Sequence, residues 1–142
     1  MNSVLIFSIL ILNFWAGLQD FIEYEVDLIT FILLFLFCQT HFWLNAYEGM
    51  IFNYFSIIAI ILLFYFIIKF VGLEKQYGLG DYFFLLSIAP LFSVRDFLLV
   101  TISSHILGIL YIIIIKTVKK SKLLETASPQ IFFYSLVSSF LI

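Results

Sequence analysis

Residues 51–71 read IFNYFSIIAIILLFYFIIKFV, an apolar run in which Lys69 is the only charged side chain. A helix needs about 20 apolar residues to cross the hydrocarbon core of a bilayer, so this run is long enough. Of the 142 residues in the chain, 64% are hydrophobic and 11% are charged, whereas soluble domains average about 25% charged residues. The sequence therefore predicts an integral membrane protein.

Five further apolar segments are shorter or less uniform than residues 51–71. They are residues 3–19, 27–43, 82–94, 97–116 and 129–142. Together the six segments predict an all-α bundle of about six transmembrane helices, which forms one domain over residues 1–142 and has the lipid bilayer as its partner. The segments 82–94 and 129–142 are below the usual length, so a bundle of four or five spans stays open.

The basic residues predict the orientation of this bundle. With six spans, all but Arg95 lie on the side of the loops 19–27, 71–81 and 116–128; they are Lys69, Lys75, Lys116, Lys119, Lys120 and Lys122. Because positive charge marks the cytoplasmic face, we expect those loops to face the cytoplasm of the cell membrane and both termini to lie outside. No basic residue precedes Lys69, which favours a retained first span over a cleaved signal peptide.

The motif Gly78-Leu79-Gly80-Asp81 places an acid between two long apolar runs, and such an acid marks a candidate functional site. In the predicted topology, Asp20 at the end of the first span lies on the same side and at the same depth. Two carboxyl groups at one site titrate as a pair, so one can accept a proton from water while the other donates one to a carbonyl. This is aspartic peptidase chemistry, which needs no metal or cofactor. The two glycines are expected to let the chain turn and let a substrate approach.

The chain resembles the GxGD aspartyl peptidases of membranes, specifically the type IV prepilin and preflagellin peptidases. The residues that carry the resemblance are Gly78-Leu79-Gly80-Asp81, Asp20, Val26-Asp27-Leu28 and Ala127-Ser128-Pro129-Gln130. The resemblance implies that Asp20 and Asp81 are the catalytic pair, supported by Gly78 and Gly80. It also implies that the substrate is a prepilin-like precursor, whose short basic leader is removed at the cytoplasmic face.

The chain also departs from this family. Tyr82-Phe83 stands where relatives often have Val-Lys, and the proline that often follows the first aspartate is missing. Larger bacterial relatives carry a methylation domain with cysteine pairs, whereas this chain has the single cysteine Cys38. We therefore expect proteolysis without N-methylation. No basic stretch has the length and aromatic content typical of a nucleic-acid surface.

An acidic loop follows the first predicted span and contains Glu23, Glu25 and Asp27. These acids could attract a basic leader to the site by electrostatic steering; the alternative is an ordinary solvated loop. Two polar residues inside predicted spans, Asn13 and His105, are interpreted as interhelical hydrogen-bonding groups.

Other interpretations of the two aspartates remain open. Asp81 alone, just before an apolar run, is most often a helix N-cap, and Asp20 alone is most often a solvated loop acid. Carboxylates within a membrane also mark ion paths, so a small transporter subunit coupled to a cation or proton is one alternative function. A non-catalytic assembly protein of a pilus or secretion machine is another.

Overall fold

The computed structural model describes residues 2–46, 48–72, 78–119 and 128–142, and these ranges are helical without strands. Within them, six α-helices follow one another: α1 (Asn2–Glu23), α2 (Leu28–Asn45), α3 (Glu48–Val71), α4 (Leu79–Ile88), α5 (Val94–Lys119) and α6 (Gln130–Ser139). The predicted all-α class is confirmed. Four residues used in the sequence analysis lie outside the described ranges: Lys75, Lys120, Lys122 and Ala127.

Four of these helices, α1, α2, α3 and α5, are long and apolar enough to cross a membrane. The longest apolar stretch is α3, with 24 residues and a mean hydropathy of 2.5. At about 1.5 Å per residue, a helix of that length exceeds the ~30 Å hydrocarbon core of a bilayer. The chain is therefore a helical membrane protein.

The helices α4 and α6 differ from the other four because each has only 10 residues. A helix of that length covers about 15 Å, half of the hydrocarbon core. They correspond to the two segments that the sequence already marked as short. Six helices are thus confirmed among the described residues, whereas six membrane crossings remain a prediction.

The two short helices form the centre of the bundle. Helix α4 packs against α2, α3 and α6, and α6 packs against α1 and α5. Their large side chains Phe84 and Tyr134 are fully buried, whereas the long helix α3 exposes Phe52 and Phe70 on its outer face. An apolar outer face suits lipid as its surroundings.

Pro90 ends α4, as expected for a residue without a backbone N–H. The α-helix stops at Ile88 and is followed by a short 3-10 helix, Ala89–Leu91. Ser93 then begins α5: its Oγ accepts the Asp96 N–H at 3.2 Å and donates to Asp96 Oδ2 at 2.7 Å. This pattern resembles a capping box. It lies at the end of the bundle opposite to Asp81.

A close contact between α1 and α6 fixes the depth of α6 in the bundle. A Cβ atom on Gly17 would lie 2.7 Å from Ser135 Oγ, so glycine is what allows the two helices to approach. One turn earlier, Asn13 Nδ2 donates to the Ser135 carbonyl oxygen at 3.1 Å and to Ser138 Oγ at 3.0 Å. These bonds confirm the interhelical role predicted for Asn13. They join the second half of α6 to the middle of α1, and this register places the first turn of α6 beside Asp20 near the end of α1.

Candidate active site

Asp20 lies near the C-terminal end of α1 and only 7% of its surface is exposed. Its Oδ2 accepts a hydrogen bond from the backbone N–H of Phe132 at 3.1 Å. Phe132 belongs to the first turn of α6, whose N–H groups have no partner within the helix. The interpretation of Asp20 as a solvated loop acid is therefore wrong, because its side chain is nearly buried and is hydrogen-bonded to the first turn of α6.

Asp81 is the third residue of α4 and is also nearly buried. Its Oδ2 accepts a hydrogen bond from the Gly78 N–H at 3.0 Å, and its own N–H donates to the Gly78 carbonyl oxygen at 3.1 Å. The N-cap of α4 is therefore Gly78, and the interpretation of Asp81 as the N-cap is wrong. Its side chain nevertheless satisfies a backbone donor at the start of the helix, as the acidic member of a capping box does.

The first turn of α6 brings the surroundings of the two acids together. Phe132 donates to Asp20, and the neighbouring Ile131 packs against α4 beside Asp81. Ile131 Cδ1 would lie 3.6 Å from a Cβ atom on Gly80, which is an ordinary van der Waals distance. The first turn of α6 thus donates a hydrogen bond to Asp20 and packs beside Gly80, the residue before Asp81.

Asp81 lies outside the four long helices, and its carboxyl group is electrostatically perturbed by its surroundings. Burial, and after it the negative charge of Asp20, raise the pKa of Asp81 to about 7, while the hydrogen bond from Gly78 acts in the opposite direction. The site therefore contains two nearly buried carboxyl groups that each accept a backbone hydrogen bond, and Asp81 holds its proton near neutral pH. Acid–base catalysis by two carboxyl groups requires that one of them carry a proton.

The glycines of the motif have a different role from the one predicted. Gly78 has φ −74° and ψ 156°, an extended conformation that any residue adopts. Gly80 lies within α4, and among the described residues the glycine with positive φ is Gly72. The expectation that Gly78 and Gly80 allow a turn is therefore wrong. Within the described ranges, a Cβ atom on Gly78 would lie 3.9 Å from the Gly80 N and 4.0 Å from Asp81 Oδ2, so a methyl group fits beside Asp81 at ordinary van der Waals distance.

The acidic loop divides into two parts. Glu23 and Glu25 are exposed at the same end of the bundle as Asp20. Asp27 is the N-cap residue of α2, and its Oδ2 accepts a hydrogen bond from Gln19 Nε2 at 2.7 Å. All three acids are thus exposed to a charged partner, and Asp27 is in addition hydrogen-bonded to Gln19 of α1.

The sequence analysis missed the group that holds Asp20. Phe132 contributes a backbone N–H, which every residue except proline carries, so no side-chain pattern marks it. The signal that could have found it is Pro129, because proline is compatible with the start of a helix. Pro129 is the N-cap residue of α6, and the turn that follows it has N–H groups to offer.

His105 lies outside this site and joins α5 to α6. Its Nδ1 is 2.6 Å from the Thr101 carbonyl oxygen and its Nε2 is 3.4 Å from the Tyr134 hydroxyl. Because a carbonyl oxygen can only accept, Nδ1 carries the proton and Nε2 accepts from the tyrosine. The predicted role of His105 as an interhelical hydrogen-bonding group is confirmed.

The described residues contain no group of three or more His, Cys, Asp and Glu side chains that could hold a metal ion. The candidate site consists of two nearly buried carboxyl groups, the first turn of α6 and the N-cap residue Gly78. No family model, curated protein or solved structure matches this chain.

Proposed function

We propose that this chain is a membrane aspartyl endopeptidase with Asp20 and Asp81 as its catalytic pair. The observation that supports this function best is the electrostatic interaction of two nearly buried carboxyl groups, which contributes to a pKa of about 7 at Asp81. A buried carboxyl group that titrates near neutral pH is typical of acid–base catalytic sites. Two such groups are sufficient for the hydrolysis of a peptide bond.

In the proposed mechanism Asp20 acts first as the base. Its carboxylate takes a proton from a water molecule while the water oxygen attacks the carbonyl carbon of the peptide bond, and Asp81 gives its proton to the carbonyl oxygen. In the second step Asp20 returns its proton to the peptide nitrogen. Asp81 recovers a proton from a hydroxyl of the gem-diol as the C–N bond breaks. The products are a carboxylic acid and an amine, and both aspartates return to their starting states.

The proposed substrate is a prepilin-like precursor with a short basic leader, which the chain cleaves without N-methylation. Two exposed acids, Glu23 and Glu25, lie at the same end of the bundle as Asp20 and would attract such a leader. Lys69 lies in the last turn of α3, which supports the assignment of this end to the cytoplasmic face. Six crossings with both termini outside belong to the same proposal.

Co-expression with a prepilin-like precursor tests this function. We expect a leader-sized loss of mass from the precursor, which disappears in Asp20→Asn and in Asp81→Asn. Asp96→Asn is the matched control because it makes the same change in the cap of α5, and it should leave cleavage intact.

Three outcomes would contradict the peptidase proposal. Cleavage that persists in both variants would exclude Asp20 and Asp81 as the catalytic pair. Ion flux in proteoliposomes without cleavage would favour the transporter, and the absence of both activities would favour an assembly protein.

A further inference from the structure

The first turn of α6 contains a buried amide group that has no partner. Gln130 is the first residue of α6 and is 7% exposed, yet its Nε2 makes no hydrogen bond among the described residues. Ser128 Oγ, two residues earlier, is also buried and makes no hydrogen bond within those ranges. Buried polar groups in proteins are nearly always hydrogen-bonded, so two exceptions in one turn require a physical explanation.

Gly108 of α5 makes the room that these two side chains occupy. A Cβ atom on Gly108 would lie 2.6 Å from Gln130 Oε1 and 3.0 Å from Ser128 Oγ. Any other residue at position 108 would displace both polar groups. The absence of a side chain at Gly108 thus keeps Gln130 buried between α5 and α6, although no protein group satisfies its amide.

Gln130 belongs to the same helical turn as the groups that surround the aspartates. Phe132 donates its N–H to Asp20, and Ile131 contacts Gly80 beside Asp81. A turn of α-helix rises only about 5.4 Å. Gln130 is therefore within one helical turn of the groups that contact the surroundings of the two acids, and its side chain lies between α6 and Gly108 of α5.

We propose that Gln130 is a substrate-binding residue, whose Nε2 donates a hydrogen bond to a main-chain carbonyl oxygen of the bound peptide. This inference rests on the proposed peptidase function. An extended peptide that enters a water-poor site loses the water bound to its carbonyl groups, and it needs donors to replace that water. A neutral amide supplies such a donor without competing for the proton that Asp20 and Asp81 exchange. Ser128 Oγ, just before the start of α6, offers a second donor.

The substitution Gln130→Met tests this proposal because methionine has a similar length and no amide. We expect the thermal midpoint of the variant to stay the same or to rise, since an unsatisfied buried donor is removed. Its kcat/KM for the precursor should fall about tenfold, which corresponds to about 1.4 kcal/mol. Activity is measured well below the midpoint, so that both proteins are folded.

Gln39→Met is the matched control for this experiment. Gln39 Nε2 donates to the Tyr54 hydroxyl at 2.6 Å, so this glutamine is satisfied within the protein. Its variant should have a lower thermal midpoint and an unchanged kcat/KM, the reverse of the result expected for Gln130→Met. A lower midpoint together with an unchanged kcat/KM in Gln130→Met would overturn the proposal.

If Gln130→Met loses both stability and activity, Gln130→Glu shows whether the activity was lost through substrate binding or through stability. A protonated glutamic acid can donate to a carbonyl oxygen, whereas its carboxylate can only accept. The ratio of variant to wild-type kcat/KM should therefore fall as the pH rises from acid to neutral. A ratio that stays flat would overturn the proposal. If the wild-type protein cleaves no precursor, the peptidase function itself fails; if it does, and Asp81→Asn does not, a negative result at Gln130 concerns this inference alone.

Discussion

The carboxylate of Asp20 accepts the backbone N–H of Phe132 at 3.1 Å, although 112 residues separate the two in the chain. A side chain of α1 thereby accepts one of the backbone N–H groups that are left without a partner at the N-terminus of α6. Because the same carboxylate is the proposed catalytic base, Asp20 has a structural and a chemical role, and different substitutions separate them.

Asp20→Asn should retain most of the stability and lose the activity. Asparagine keeps an oxygen that accepts the Phe132 N–H, but it cannot take a proton from water, so cleavage should fall by about 10²–10⁴-fold. Asp20→Ala loses both roles, and its free energy of unfolding should be lower by about 1 kcal/mol, as for the loss of a helix cap. Thermal unfolding in detergent and cleavage rates measure the two effects. An active Asp20→Asn would show that the carboxylate is only a cap.

The stability of the protein should depend on the protonation of Asp81. Its pKa rises from an ordinary value of 3.8 to about 7 in the folded state, so the folded protein binds this proton more tightly than the unfolded chain does. The contribution of Asp81 to the free energy of unfolding is therefore largest below about pH 4 and decreases by a few kcal/mol as the pH rises to about 7. Cleavage, which needs protonated Asp81, should decline above about pH 7.

Unfolding measured over this pH range in the wild type and in Asp81→Asn checks the assignment. The variant should have a smaller slope between about pH 4 and pH 7, because asparagine does not titrate and the contribution of Asp81 is removed. Asp96→Asn should retain the slope. The same slope in wild type and Asp81→Asn would mean that another group is responsible.

Gly17→Ala should destabilise the protein through the contact between α1 and α6. The new Cβ atom would lie 2.7 Å from Ser135 Oγ, and such overpacking costs about 1–3 kcal/mol. Gly78→Ala is the control because, among the described residues, its Cβ atom would meet nothing closer than 3.9 Å, and its extended backbone accepts alanine. We expect Gly78→Ala to unfold like the wild type and to cleave the precursor more slowly, since the methyl group lies beside Asp81. Equal thermal midpoints for the two variants would contradict the close helix approach.

The double substitution Glu23→Gln and Glu25→Gln should raise KM for a precursor with a basic leader and leave kcat unchanged. The reason is that exposed acids act on the encounter with a charged substrate, and the effect should diminish as the salt concentration increases. Glu48→Gln is the control, because Glu48 is also exposed but lies at the other end of the bundle, in the first turn of α3. If the double variant has the same KM as the wild type, Glu23 and Glu25 are ordinary solvated residues.

The helices themselves were readily predicted from the sequence, because burial in lipid leaves long apolar runs. Residues 51–71, for example, fall within α3 (Glu48–Val71). The sequence also placed Asp20 and Asp81 at the same end of the bundle, since that follows from the order of helices alone. It did not reveal that α4 and α6 lie at the centre, because a short apolar segment has the same composition whether it contacts lipid or protein.

The details of the site were less predictable, for two physical reasons. The bond between Asp20 and Phe132 uses a backbone group, which has no signature in the sequence. Gly78 likewise acts through its backbone N–H, which donates to Asp81 Oδ2, and this bond is known only after the chain has folded. In contrast, the interhelical role of Asn13 was predictable, because a carboxamide within an apolar span has few alternatives.

Each carboxyl group of the candidate pair is anchored on its own side of the contact between α4 and α6. Asp81 is hydrogen-bonded to the start of its own helix, and Asp20 is hydrogen-bonded to the backbone of α6. Beside them, the apolar side chain of Ile131 packs against α4 at Gly80. The packing of α4 against α6, which includes the stacked rings of Phe84 and Tyr134, therefore sets how far apart the two carboxyl groups lie. A change in that helix packing would thus alter the separation of the two acids, while each acid keeps the hydrogen bond on its own side.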